Sequence, residues 1–214
     1  MEFVGEFETH YTVCIKAETS DLEALRDWGT RHGLKCLHIV LDRGESVSQP
    51  MLTGRGHGTL CGERAKAESI VALLQTAGFR VTRVKIEAAP WNADVPRSTE
   101  DAQQQSSDRH WEHHVKLLLE PNADIDAVAT VAVEHGAHLS RNALKQREDG
   151  RRERFVTQRC FGVGRDEARR QLDALLAALD SLRQIVVDVE EEFVVYDSNI
   201  DLDRGWLGAK GGAE

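Results

Sequence analysis

The chain contains no run of about 18 consecutive apolar residues, so no membrane-spanning helix and no membrane association are expected. Its opening, "MEFVGEFETH", lacks the basic-then-apolar pattern of a secretory signal, and no secretion is expected. No CxxC pair occurs among the four cysteines, Cys14, Cys36, Cys61 and Cys160. Scattered thiols exclude a disulfide framework and suit a reducing cytoplasm; Cys14, Cys36 and Cys160 are expected to be reduced and mostly buried. Glycine-rich phosphate loops are also missing. "GRGHG" at 54–58 has neither the Lys-Ser/Thr of a P-loop nor the spacing of a dinucleotide fingerprint. Positive charge is in deficit: 27 Lys and Arg face 36 Asp and Glu, a formal net charge of −9. Such a chain repels nucleic acid at long range, which excludes bulk electrostatic binding but leaves room for a local basic cleft.

What is present is a globular balance, 41% hydrophobic and 29% charged over 214 residues, enough for one large domain or two of about 100 residues each. The chain also repeats itself. "FETH" at 7–10 reads like "WEHH" at 111–114, placing His10 with His114 at an offset of 104. "PMLTGR" maps onto "RFVTQR", pairing Thr53 with Thr157 and Arg55 with Arg159 at the same offset. "RHGLKCLHI" maps onto "EHGAHLSRN" and "VTRVKIE" onto "QIVVDVE", both at 103, the latter pairing Glu87 with Glu190. Between the copies, "RSTEDAQQQSSD" has no aliphatic residue larger than Ala102 and reads as a linker.

Periodicity and capping signals give each copy the order strand, helix, strand, strand, helix, strand. In copy one the first strand is expected over 7–16 and a helix over roughly 63–77 ending at Gly78. In copy two strands fall at 111–119, 138–144, 154–161 and from 184, with helices at 124–135 and 166–180. The fold expected is α+β, a tandem duplication of ferredoxin-like βαββαβ domains over 1–96 and 110–214, joined by a polar linker at 97–109. Each sheet then has one face under its helices and one open face, with the two open faces opposed.

Alternation sorts the side chains. Tyr11, Val13 and Ile15 suit the helix side, leaving His10, Thr12 and Cys14 on the open face. The same reasoning puts Leu37, Ile39 and Leu41 under the helices and His38 opposite, with Arg141 as its counterpart. The open faces then collect His10, Thr12, His38, Thr53, Arg55 and Lys85 in one lobe, and His114, Lys116, Arg141, Thr157 and Arg159 in the other, together with Glu87, Asp188 and Glu190. Charged groups on a sheet face need water, a partner or a ligand. Two accounts follow: a polar interdomain interface cross-linked by salt bridges, or a cleft that holds a small anion.

For the cleft, Arg55 and Arg159 offer bidentate donors to phosphate, and the threonines add hydroxyls. His10 and His114 are the candidate acid–base pair, because imidazole titrates near neutrality. "HYT" at 10–12 and "HLS" at 138–140 resemble the two H-x-[ST] signatures of the 2H phosphoesterase family. The resemblance implies paired histidines in a two-lobed cleft acting on phosphodiesters; here the repeat partner of His10 is His114, in "HVK", and His138 matches Lys35. The function expected is therefore binding of a small phosphate-bearing or nucleotide-like ligand; were the chain an enzyme, the reaction would be that of a phosphoester hydrolase or transferase. The alternative is a non-catalytic interaction or regulatory protein.

No metal and no cofactor are expected. In "HWEHH" neighbouring His113 and His114 point to opposite faces of a strand and would not share one ion. The C-terminal "EEEFVVYDSNIDLDRGW" exceeds the matching end of copy one, and Phe193, Tyr196 and Trp206 suit packing onto the first lobe or onto a second protomer in a homo-oligomer.

Overall fold

A computed structural model describes residues 2–15, 19–145 and 147–206. The strands are β1 (Val4–Cys14), β2 (Lys35–Leu41), β3 (Ser48–Thr59), β4 (Arg80–Ala88), β5 (His110–Leu119), β6 (Ala137–Asn142), β7 (Arg152–Phe161) and β8 (Ile185–Asp197). The helices are α1 (Thr19–Arg31), α2 (Leu60–Thr76), α3 (Thr99–Gln103), α4 (Ile125–Glu134) and α5 (Arg165–Ser181), followed by a 3-10 turn at Ile200–Asp203. The class is α+β. No helix among the described residues is long and apolar enough to cross a membrane. Residue 16, the expected end of the first strand, and residues 207–214 of the C-terminal extension lie outside the described residues.

The helices start where local chemistry says they should. Thr59 caps α2 by accepting from the Gly62 N–H, and Asp124 caps α4 by accepting from the Ala127 N–H. The polar stretch between the copies is not extended throughout. Ser98 and Asp101 form a capping box that starts the five-residue α3, and Ala102 is buried.

The open faces do not confront each other as two separate sheets. All eight strands close one antiparallel barrel in the order β1-β3-β2-β6-β7-β5-β8-β4. The halves are stitched by β2 on β6 and by β4 on β8. Each half contributes its strands in the same order, β4-β1-β3-β2 and β8-β5-β7-β6. Closure removes the unpaired edges that two open sheets would carry. The former open faces become the barrel lumen.

Outside the barrel, α1 and α2 cover one half through Tyr11, Val13, Leu25, Trp28, Leu52 and Leu74. The other half packs Val115, Leu117, Val156, Leu172 and Leu179 under α4 and α5. A third core with Phe3, Phe7, Ile86, Trp111 and Phe193 seals the seam. The helix-side positions expected for β1, Tyr11, Val13 and Ile15, are found in the first of these cores or packed against it.

Register corrects one detail of the repeat. His10 faces Lys85 and Glu8 faces Glu87, while His114 faces Glu190 and Glu112 faces Glu192. Glu87 therefore corresponds to Glu192, at an offset of 105, and not to Glu190. The slip is two residues, which in a strand leaves every side chain on its own face, so alternation could not detect it. Both halves break register at the corresponding place, between Thr12 and Val13 and between Lys116 and Leu117. In β1 that bulge falls two residues before the end of the strand, where Cys14 is exposed and its sulfur accepts from Arg80; the expectation of a buried Cys14 fails there. All four cysteines are free, Cys36 half-buried and Cys160 buried.

Candidate functional site

The barrel lumen holds a cavity of about 230 Å³. His10, Thr12, Arg55, Lys85, His114, Thr157 and Arg159 line it, as their strand parity requires. Thr53 lies just behind His10, its hydroxyl on the imidazole.

Three expected residues stand elsewhere. His38 and Arg141 are off the lumen: His38 Nε2 is 2.8 Å from Ser48 Oγ, and Arg141 is exposed. The alternation of β2 was read correctly but its phase was inverted. Leu37, Ile39 and Leu41 line the lumen, because the lumen itself has an apolar wall, and that removes the rule that apolar means helix side. In β6 the lumenal residues are likewise His138, Ser140 and Asn142. Lys116 has the right parity but lies beyond the cavity, 3.1 Å from Glu153.

The two histidines sit in matching settings. His10 Nδ1 is 2.8 Å from Thr53 Oγ1, and its Nε2 is 2.5 Å from Glu87. His114 Nδ1 is 3.1 Å from Thr157 Oγ1, and its Nε2 lies 3.6 Å from Glu192. Thr53–His10–Glu87 and Thr157–His114–Glu192 are thus counterpart triads. They differ in how tightly they close. Both ring nitrogens of His10 are engaged. His114 Nε2 instead stands among three carboxylates, 3.4 Å from Glu112, 3.6 Å from Glu192 and 3.8 Å from Glu87. Burial works against an imidazolium at His114, but the nearby carboxylates of Glu87 and Glu112 outweigh it, and its pKa is raised.

The two triad glutamates are driven apart. Burial would push Glu87 up, yet Lys85 and His10 outweigh it and hold it well below the carboxylate range. Glu192 is pushed well above that range, by burial first and then by the charges of Glu87 and Glu8. One carboxyl is kept ionised and its counterpart is kept protonated at higher pH.

Beneath the triads runs a chain of alternating charge. Arg83 binds Asp197 through two nitrogens at 2.9 and 2.5 Å and Asp203 at 2.8 Å. Arg159 continues it, with Nε 2.7 Å from Glu112 and a terminal nitrogen 2.8 Å from Asp203. Lys85 closes it, 2.6 Å from both Glu112 and Glu87. The equivalent of the Arg159–Glu112 pair is Arg55–Glu8 at 3.0 Å, but the Arg55 side chain is 79% exposed and that of Arg159 only 4%. The difference comes from the C-terminal extension. Asp203 pairs with Arg159, and the Trp206 ring lies 3.7 Å from its guanidinium. The extension therefore packs across onto the barrel, touching Arg43 and Gln49 of the first half.

Glu87, Glu112 and His114 bring potential metal-ligand atoms within 4.8 Å of one another. Lys85 already stands between the two carboxylates, and its pKa is raised because Glu112 and Glu87 outweigh its burial. A metal ion entering there would have to displace that ammonium.

No family model and no curated protein matches the chain. The lumen's chemistry is the ground for a functional reading.

Sequence reasoning passed over several lumenal residues. Glu112 was legible, since the repeated "E" in "FETH" and "WEHH" carries Glu8 and Glu112 to matching places. His138 lines the lumen with no hydrogen-bond partner for its buried Nδ1, and its ring centroid is 3.7 Å from that of Trp206. Burial, and then Arg159, lower its pKa to about 2, so it is a neutral imidazole. Lys35 also lines the lumen and makes no ion pair among the described residues. Trp206 was legible as a packing residue of the C-terminal extension, but the placing of Asp203 and Trp206 against Arg159 and Arg43 carries no local signal, because it acts across 44 to 163 residues of sequence.

Proposed function

We propose that the chain is a tandem duplication of two ferredoxin-like units fused through their sheet edges, and that the shared lumen binds and processes a small phosphate-bearing ligand. The observation that carries the activity is the pair of Thr–His–Glu triads whose two glutamates are pushed to opposite sides of the ordinary carboxylate range. Environments that separate two like groups in this way are how a site obtains an acid and a base together. His114 and Glu192 are the proton-transfer groups of this reading, because His114 Nε2 is not committed to a single short bond. His10, tied at both nitrogens, orients Glu87.

Lys35 and Lys145 are the cations for the phosphate. Lys35 has no carboxylate partner among the described residues, and Lys145 reaches one only at 3.9 Å. Arg159, first in line by sequence, is spent on Glu112 and Asp203. The H-x-[ST] side chains of His10, Thr12, His138 and Ser140 all line the lumen, which is compatible with phosphoesterase chemistry.

The test pairs binding with turnover. Lys35→Ala should abolish the thermal stabilisation that phosphate compounds give the wild type. His114→Asn and Glu192→Gln should retain binding and lose at least about a hundredfold in any phosphoester hydrolysis or transfer found, the range for a general acid or base. A panel of phosphoesters that neither stabilises nor is turned over by the wild type would refute the reading.

A further inference from the structure

Ring order divides the lumen into two unlike walls. The adjacent strands β5, β8, β4 and β1 present only polar side chains to the cavity. On the other side β3 presents Met51, β2 presents Leu37, Ile39 and Leu41, and β7 presents Phe155, with His138, Ser140 and Asn142 of β6 between β2 and β7. Register groups them about Ser140: Leu37 faces Met51, and Leu41 faces Ser140, which in turn faces Phe155. None of the five belongs to any of the three packed cores. Leu37, Ile39, Met51 and Phe155 remain only partly buried, although they point into the barrel and not to bulk solvent.

Apolar side chains facing a cavity lose both packing contacts and the benefit of burial until something apolar fills it. The division follows the repeat, because each half gives its first and fourth strands to the polar wall and its second and third to the other. Met51 and Phe155 are counterparts on β3 and β7, and both are apolar. The halves differ on β2 and β6, where Leu37 corresponds to Ser140, since Leu37 faces Met51 as Ser140 faces Phe155.

We infer that the ligand is an organic phosphate ester whose carbon body is apolar or aromatic, seated on the β3-β2-β6-β7 wall, and not inorganic phosphate or an oligophosphate. This rests on the phosphate reading above. Lys35, on the same strand as Leu37 and two residues away, places a cation at one end of the apolar wall for the phosphate. The body then lies across from His114 and Glu192, and the ester linkage lies between the two walls. An inorganic phosphate would use the cations and leave the apolar wall empty.

The experiment is calorimetric titration of the full chain with four probes: inorganic diphosphate, phenyl phosphate, a nucleoside 5′-monophosphate and the free nucleoside. Wild type is compared with Met51→Gln, which keeps length and removes apolar character, and with Lys35→Ala; melts confirm that each variant is folded. An organic phosphate should bind at least about tenfold tighter than diphosphate, the scale on which a hydrophobic pocket discriminates. Met51→Gln should remove that advantage and leave diphosphate unchanged. Phenyl phosphate and the nucleotide separate a generic aryl body from a nucleoside. Diphosphate binding as tightly as either ester, or an ester insensitive to Met51→Gln, overturns this inference while the phosphate reading stands. Binding of the free nucleoside with none of the phosphates overturns both, as does binding of no probe.

Discussion

Arg159→Ala is the sharpest perturbation, because its counterpart Arg55 supplies an internal control. Read from sequence alone, both arginines face an open sheet; a ligand cleft predicts that Arg159→Ala leaves the fold intact, and a salt-bridged interface predicts that it lowers the melting temperature. In the barrel the Arg159 guanidinium holds Glu112 at 2.7 Å and Asp203 at 2.8 Å and lies against Trp206. Removing it leaves two buried carboxylates each one cation short. Breaking one side of a buried pair costs about 3–5 kcal/mol, because the abandoned charge stays desolvated. Glu112 keeps Lys85 and Asp203 keeps Arg83, so the lower end of that range applies if the network relaxes. For a chain of this size each kcal/mol shifts the melting temperature by about 2–4 °C, giving a fall of about 6–20 °C. Arg55→Ala breaks an exposed pair worth about 0–1 kcal/mol, a shift of no more than about 4 °C. Adding Glu112→Gln to Arg159→Ala removes one stranded charge and should recover part of the loss. Thermal melts followed by circular dichroism at neutral pH, with urea denaturation to check that the transition is two-state, measure all three. Equal shifts for Arg55→Ala and Arg159→Ala would refute the reasoning, because they would mean that burial of the network carries no energetic weight.

His138 should make the protein acid-sensitive. With a folded pKa near 2 and an unfolded one near 6.5, the unfolded chain alone takes up this proton as pH falls below 6.5, so stability is lost progressively over that window. At pH 4.5 the loss is on the order of 3 kcal/mol, and His138→Asn should flatten the stability–pH profile between pH 6.5 and 4.5. Glu192 has the opposite slope: its raised folded pKa means the unfolded chain sheds the proton first, and stability falls as pH rises from the carboxylate range through the folded value. Glu192→Gln should accordingly raise the melting temperature more at pH 8 than at pH 4, and equal shifts at both would count against a protonated Glu192. Thiol labelling of the native protein should modify Cys14 and Cys61 first and spare Cys160, which is buried and whose pKa is pushed up to about 12. Mass spectrometry of the labelled chain checks the order; early modification of Cys160 would contradict the packing under α5.

Local and periodic features of this protein were written in the sequence by itself. Ser, Thr and Asp caps, the alternation of β1 and β5, and the echo of "FETH" in "WEHH" determine which residues form strands and which side chains share a face, because both follow from short-range backbone geometry. That is why His10, His114, Thr157 and Lys85 were found. Where the sequence reading failed, it failed on choices made over long distances. Alternation cannot tell which face of β2 is inside when both sides of the barrel wall are apolar, and it cannot detect the two-residue slip that pairs Glu87 with Glu192. Whether two sheets oppose each other or fuse at their edges depends on pairing β2 with β6 and β4 with β8, contacts with no local signature. The fate of Arg159 was decided further away still. Asp203 and Trp206 turn one of two equivalent arginines from an exposed side chain into a buried strut, and only the tertiary structure could bring them there.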